Sequence, residues 1–180
     1  MKQCVFQTQV AQYIAAKDNN KPHLMGAVFK SDARLEMLVQ TENIDFPSQV
    51  EGRAAITATL VRNFNRQFEN VYTFCIEDAL QVLEDHYCCP WFVCMNDIAS
   101  GELKVGYGYY RWYFAGEEDG REKFSRLVIE IESMSVFPPE YAHQCYEWLA
   151  EIPYPWCEKS QLTIARQSFL TDLQDFVAQL

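Results

Sequence analysis

YIAAKDNNKPHLMGAVFKSDARLEM (residues 13–37), followed by EGRAAI (51–56), is the stretch that decides the fold. Upstream of it, Val5, Phe6, Val10, Tyr13 and Ile14 recur at helical spacing over residues 4–17. The polar run DNN ends that helix, Asn20 is placed to cap the next one, and Pro22 falls in its first turn. Leu24, Met25, Val28 and Phe29 give this short second helix an apolar face, which Ser31-Asp32 closes. From residue 33 to 41 the pattern alternates. Ala33, Leu35, Met37 and Val39 lie on one side, and Arg34, Glu36, Leu38 and Gln40 on the other, as in a strand with one wet face. TENIDFPSQVEG reads as a loop, and a third helix comes next at about 52–68 with Ile56, Leu60, Val61 and Phe64 inward.

Strands are expected at roughly 71–77 leading into 80–96, then at 103–114 and 123–136. NDIASG and AGEEDG are the turns that join antiparallel neighbours. A sheet buries its more apolar face, so Tyr110, Trp112, Leu127, Ile129 and Ile131 are assigned inward, with Gly106 and Gly108 making room for a helix side chain or a ligand. Tyr87, Cys89, Trp91, Val93 and Met95 have the same core-like alternation. Pro138-Pro139 ends the sheet. Tyr141, Cys145, Trp148 and Leu149 then form one helix face, IPYPW a rigid connector, and Leu162, Ala165, Phe169, Leu173, Phe176 and Leu180 a second amphipathic helix. The expected architecture is α+β: a cone-shaped, curved antiparallel sheet with three N-terminal helices enclosing a pocket (residues 1–137), plus a C-terminal helical extension (138–180) packed on the same domain or on a dimer mate.

A length of 180 residues fits one domain with a full core. The formal charge of −10 and the absence of any Lys/Arg stripe disfavour nucleic acid and anionic membranes as partners. Aromatic residues make up 14% of the chain, which fits either a lined cavity or a tightly packed aromatic core. The N-terminus lacks a signal-peptide apolar region, and no run is long enough to span a bilayer, so a cytoplasmic location is expected. Seven cysteines, an odd number without a C-x-x-C pair, read as reduced buried thiols. Cys88 and Cys89 point to opposite faces of a strand, which argues against a zinc site.

The order helix, helix, strand, helix, long antiparallel strands resembles the nuclear transport factor two-like superfamily, with its SnoaL-like cyclases and ketosteroid isomerases, over about residues 5–136. Y-x-A-A, a polar turn, an apolar helix ending in F-x-x-D-A, a short strand and G-R-A-A-I carry the likeness. The resemblance implies a deep pocket between the helices and the concave sheet face. It also implies cofactor-independent acid–base chemistry in many members and ligand or partner binding in others. An ungapped match puts Tyr13 where the isomerases carry the tyrosine that stabilises their enolate. It puts Met37 where they carry the aspartate base, and a thioether takes no proton in that role. No residue can be assigned to their second oxyanion acid.

Candidate ligand-binding residues are therefore Tyr13 as hydrogen-bond donor, Trp91, Tyr110 and Trp112 as walls, and Phe29, Met37 and Phe64 beside them; a core role for Tyr13 stays open. His86 and Cys88 share a strand face, but start about 7 Å apart and are expected to face outward as structural side chains. The pairs Glu84/Asp85 and Glu130/Glu132 are expected in solvent, and His23 at the surface. Tyr107, Tyr109, Arg111 and Glu130 form a mixed outer face that could take another subunit or the C-terminal helix; because members of the family often pair through this surface, a homodimer through the outer sheet face is expected. No nucleotide loop, G-x-S-x-G or metal-spaced set appears, so neither cofactor nor metal is expected. Three functions remain: a pocket for a small apolar or aromatic molecule, catalytic or not; a non-catalytic oligomerisation or partner-binding domain; and a scaffold like the beta subunit of ring-hydroxylating dioxygenases.

Overall fold

In the computed structural model, which describes residues 2–118, 120–162 and 168–180, helix α1 (Gln3–Asp18) buries Phe6, Val10, Tyr13, Ile14 and Lys17. These positions lie three and four apart, one face of a 3.6-residue helix. Asn20 turns the chain with a left-handed φ of 50°, a conformation asparagine adopts more readily than most residues. It therefore caps no helix: the 3-10 turn Pro22–Leu24 starts from Lys21 without a side-chain cap. α2 is a single turn, Met25–Val28. β1 (Phe29–Val39) begins earlier than expected, so Phe29 is a strand residue and not the end of a helix face.

The remaining strands are β2 (Gln49–Glu51), β3 (Phe68–Ile76), β4 (Gln81–Val82), β5 (His86–Asp97), β6 (Leu103–Glu118), β7 (Arg121–Phe137) and β8 (Trp156–Cys157). They form one sheet in the order β2-β1-β7-β6-β5-β3-β8, with β4 paired to β5. The sheet is mixed and not wholly antiparallel. β1 runs parallel to β7, and β8 parallel to β3; both pairs join distant segments, as parallel neighbours require a long crossover. The strand expected over 80–96 is two strands, parted by an exposed turn that carries Glu84 and Asp85. AGEEDG is only partly a turn. β6 continues to Glu118 through a register shift between Phe114 and Glu117, where Gly116 has a φ of 67°, the mark of a bulge.

Two cores sandwich the sheet. On the concave side lie α1, α2 and α3 (Arg53–Thr57), the last continuing as a wider π-type turn over Ala58–Asn63 and a 3-10 turn at Phe64–Arg66. Ile56, Leu60, Val61 and Phe64 point into this core. On the convex side lie α4 (Tyr141–Leu149) and α5 (Thr171–Gln179). Trp148 stacks on Phe92 at 6.0 Å, and Phe176 on Tyr107 at 4.4 Å. β5 is consequently buried on both faces, which is why WFVCM is a continuous apolar run and not an alternating one. The second C-terminal helix is shorter than its sequence pattern, because Phe169 and Leu170 precede its start at Thr171; Ala165 lies outside the described residues. Among the described residues, no helix is long and apolar enough to cross a membrane.

Glu118 ties β1, α3 and β7 to β6. It accepts hydrogen bonds from the Ser31 hydroxyl at 2.6 Å, the Ser31 amide at 3.0 Å, Lys123 at 3.2 Å and Arg53 at 3.3 Å. The Ser31 hydroxyl most of all, then the Ser31 amide, pulls its carboxyl from 4.5 down to about 2. A group held lower in the folded state stabilises that state above its unfolded value and loses the contribution as pH falls through its folded value. We expect the stability of the protein to decline between pH 4.5 and about 2, and Glu118→Gln to make that decline shallower. Urea midpoints across this range check it; a variant with the same acid slope as the parent would refute the assignment.

Candidate functional site

Between α1 and the concave sheet face lies a cavity of about 40 Å³, space for roughly three water molecules. Tyr13, Met37, Phe64, Trp91 and Tyr110 line it. Phe29 and Trp112 do not. They stack on each other at 5.9 Å, and Trp112 contacts Tyr13 at 5.0 Å and Phe124 at 4.6 Å, which closes the cone behind the cavity. Alternation along a strand gives the face a side chain occupies but not its depth in the cone, so Trp112, two residues beyond Tyr110, is inward without reaching the hollow.

The same wall carries a charge that the sequence pattern had hidden. Lys17 and Thr73 both line the cavity. The Lys17 ammonium donates to Asp18 Oδ1 at 2.6 Å and to Thr73 Oγ1 at 2.8 Å, and lies 4.7 Å from the centre of the Phe64 ring. Asp18, whose side chain is only 1% exposed, also accepts from the Thr73 amide at 2.7 Å, the Thr73 hydroxyl at 3.0 Å and the Tyr154 hydroxyl at 2.9 Å. A buried ion pair persists only where its remaining hydrogen-bond capacity is met in this way. Lys17-Asp18 reads as the start of a polar turn, yet Lys17 continues the stripe of Phe6, Val10, Tyr13 and Ile14 at the next helical position. That spacing was the available signal. Nothing local marks Thr73 or Tyr154.

Two donors in this cavity lack an acceptor. The Tyr13 O–H, toward whose oxygen the neighbouring Tyr110 hydroxyl is the donor, and Trp91 Nε1 are buried with no acceptor at hydrogen-bonding geometry; Trp112 Nε1 shares that state but sits outside the hollow. Burial raises the Tyr13 hydroxyl far above its ordinary 10, with the hydrogen bond from the Tyr110 hydroxyl opposing and Asp18 adding to the rise, and burial likewise raises Tyr110. Both phenols are therefore neutral and neither serves as a base. Among the described residues, the cavity wall includes no imidazole and no carboxylate.

The other candidates lie away from the hollow. His86 stacks on Tyr113 at 4.6 Å, with Nδ1 2.7 Å from Asp85, and Cys88 is half-buried while Cys89 is in the inner core. Glu130 pairs with Arg111 at 2.7 Å, and burial raises the Glu132 carboxyl, with Glu130 adding to the effect. Tyr107 and Tyr109 pack on Phe176 of the same chain.

No family model and no curated protein matches the sequence, whereas solved structures match it well. A hexachlorocyclohexane dehydrochlorinase from Novosphingobium barchaimii is 16% identical with a TM-score of 0.58, covering 75% of this chain and 89% of its own. A protein assigned as a scytalone dehydratase from Novosphingobium aromaticivorans is 18% identical with a TM-score of 0.57, covering 73% and 84%. A nuclear transport factor two-like superfamily protein from Salmonella enterica is 12% identical with a TM-score of 0.55, covering 75% and 92%. The chain has the nuclear transport factor two-like fold. A nuclear transport factor two-like cone brings a concave sheet, three capping helices and a hollow, all present here; at these identities the likeness extends to the fold alone.

Proposed function

We propose that the cone binds a compact, mainly apolar molecule that carries a neutral hydrogen-bond acceptor. The observation that supports this is a pair of donors without an acceptor, the Tyr13 O–H and the Trp91 N–H, on one cavity. Leaving a buried donor unsatisfied costs about 1–3 kcal/mol, which a suitable acceptor recovers. Lys17 spends two of its three N–H bonds on Asp18 and Thr73, so its third adds to a wall rich in donors. Charge then discriminates among acceptors. Lys17 and Asp18 already neutralise each other, and a carboxylate would leave a net negative charge in apolar surroundings, at a high desolvation cost. A cavity of about 40 Å³ holds about three heavy atoms as it stands, so a ligand of six is taken only as the wall shifts outward.

Binding without turnover is the reading that fits this wall. Met37 stands at the cavity where the isomerase resemblance expects a base, and among the described residues no other lining side chain replaces one. A second reading, a non-catalytic partner-binding domain with its hollow largely filled, draws support from the cavity volume, which is well below the ~300–1,000 Å³ of ordinary ligand sites.

Cyclopentanone, cyclopentane and cyclopropanecarboxylate, of five or six heavy atoms each, separate these readings. Each is titrated while the Trp91 indole proton, assigned with Trp91→Phe, is followed by NMR. The ketone should bind about tenfold more tightly than the hydrocarbon, shift the Trp91 proton and outcompete the carboxylate at neutral pH. If none of the three binds, the hollow is core and the partner-binding reading takes its place.

A further inference from the structure

The connector before β8 reaches the cavity through one carboxylate. Tyr154 donates to Asp18 Oδ2, Asp18 Oδ1 holds the Lys17 ammonium, and Lys17 lines the cavity together with Thr73 and Phe64, which its ammonium contacts. Three separate stretches of chain meet at Asp18: α1 itself, β3 through Thr73, and the C-terminal segment through Tyr154. The segment is fastened to the first two independently. Cys75 on β3 donates its amide to Pro155 at 2.8 Å, Trp156 pairs beside Cys75, and the Trp156 indole donates to the Gln7 carbonyl of α1 at 3.2 Å. The Tyr154 ring also packs edge-on against Phe74 at 5.5 Å and Tyr72 at 5.9 Å.

We infer that Tyr154 is a positioning residue for the cavity, and that the C-terminal segment completes the site by fixing where Asp18 holds the Lys17 ammonium. This rests on the ligand reading above but concerns a different set of contacts. Each oxygen of Asp18 accepts two donors: Lys17 and the Thr73 hydroxyl at Oδ1, the Thr73 amide and the Tyr154 hydroxyl at Oδ2. With the Tyr154 hydroxyl gone, Oδ2 retains one donor. The carboxylate's charge is then less compensated and draws more strongly on its remaining mobile donor, the ammonium. The ammonium turns toward Asp18 and its third N–H leaves the cavity wall. Tyr154 touches no ligand itself; it acts through Asp18 and Lys17.

The test is Tyr154→Phe, which retains the ring and its packing, with Tyr146→Phe as control. Tyr146 belongs to the same aromatic patch, 5.8 Å from Tyr72, but its hydroxyl bonds Asn96 at 2.6 Å and not Asp18. Two readouts are taken on the full chain: affinity for cyclopentanone and for cyclopentane, and the Lys17 ε-carbon resonance in ¹³C-lysine-labelled protein without ligand. Tyr154→Phe should weaken the ketone about fivefold, as expected for loss of part of a charge-assisted hydrogen bond, leave the hydrocarbon unchanged, and move the Lys17 resonance; the control should move none of these. Equal weakening of both ligands would show a packing role and overturn the inference. So would a Lys17 resonance that does not respond. If the parent protein binds no ketone, the ligand reading fails by itself, and the Lys17 resonance still decides whether Tyr154 positions the ammonium.

Discussion

Asp18→Asn is expected to cost the fold about 3–5 kcal/mol, the range for breaking one side of a buried ion pair. Lys17 and Asp18 have side chains 7% and 1% exposed, so neither group can recover its lost partner from water. The amide is nearly isosteric with the carboxylate but cannot satisfy the same neighbours. Every group that bonds Asp18 is a donor: the ammonium, the Thr73 amide, and the Thr73 and Tyr154 hydroxyls. An asparagine NH₂ placed at Oδ2 would confront the backbone N–H of Thr73, which cannot turn away. Placed at Oδ1, it would confront the ammonium. The ammonium is left buried beside a neutral group in either orientation. Urea unfolding measures the effect as a lower midpoint at unchanged slope. Lys17→Met should cost less, because Asp18 would retain the Thr73 and Tyr154 donors. The double variant should be clearly more stable than the sum of the two single losses, since contacting partners are not additive. A midpoint for Asp18→Asn equivalent to less than about 1 kcal/mol would mean that the pair is not held as buried ions.

That ion pair also marks the limit of what the sequence disclosed. Periodicity over Phe6, Val10, Tyr13 and Ile14, and alternation over Ala33, Leu35 and Met37, identified helix, strand and facing correctly, because those signals depend on local geometry and burial alone. The same alternation sorted Tyr110, Trp112, Ile129 and Ile131 inward. It could not tell that Trp112 packs beyond the end of the hollow while Tyr110 borders it, since depth depends on how the sheet curves. A residue-type rule that treats Lys and Asp as solvent-seeking concealed the polar end of the cavity, although Lys17 lies on the helix's apolar stripe. Thr73 and Tyr154 are 81 positions apart and meet only because β8 pairs with β3, a tertiary arrangement that no local pattern encodes. Strand boundaries erred for a related reason. Phe29 comes directly after a helix as short as four residues, so its apolar side chain fits a helix face and a strand face equally well.

Gly108→Ala should be the most damaging of the small substitutions in the sheet, at about 3 kcal/mol or more. Neither a helix side chain nor a ligand accounts for Gly106 and Gly108 of β6; their close neighbours are on β7. A Cβ on Gly108 would overlap the carbonyl oxygen of Glu130 and lie 2.9 Å from its carbon and 3.2 Å from the Glu132 amide nitrogen. All three are backbone atoms, in a strand pair whose register shifts at this point. Tyr107 faces Ser133 and Gly108 faces Ile131, so Glu132 is the extra residue of a bulge. A methyl group here can be relieved only by parting β6 from β7, the longest pairing in the sheet. Gly106 provides the internal comparison. Its Cβ would meet mainly the end of the Met134 side chain, with the Ser133 oxygen at 3.0 Å, and a flexible thioether can swing away. Gly106→Ala should cost about 1 kcal/mol. Because Met134 lines the cavity, its displacement should also reduce cyclopentanone binding in a protein that remains folded. Side-by-side urea midpoints of the two variants settle the matter: equal losses, or a Gly108→Ala protein as stable as its parent, would show that β7 does not approach β6 through this bulge.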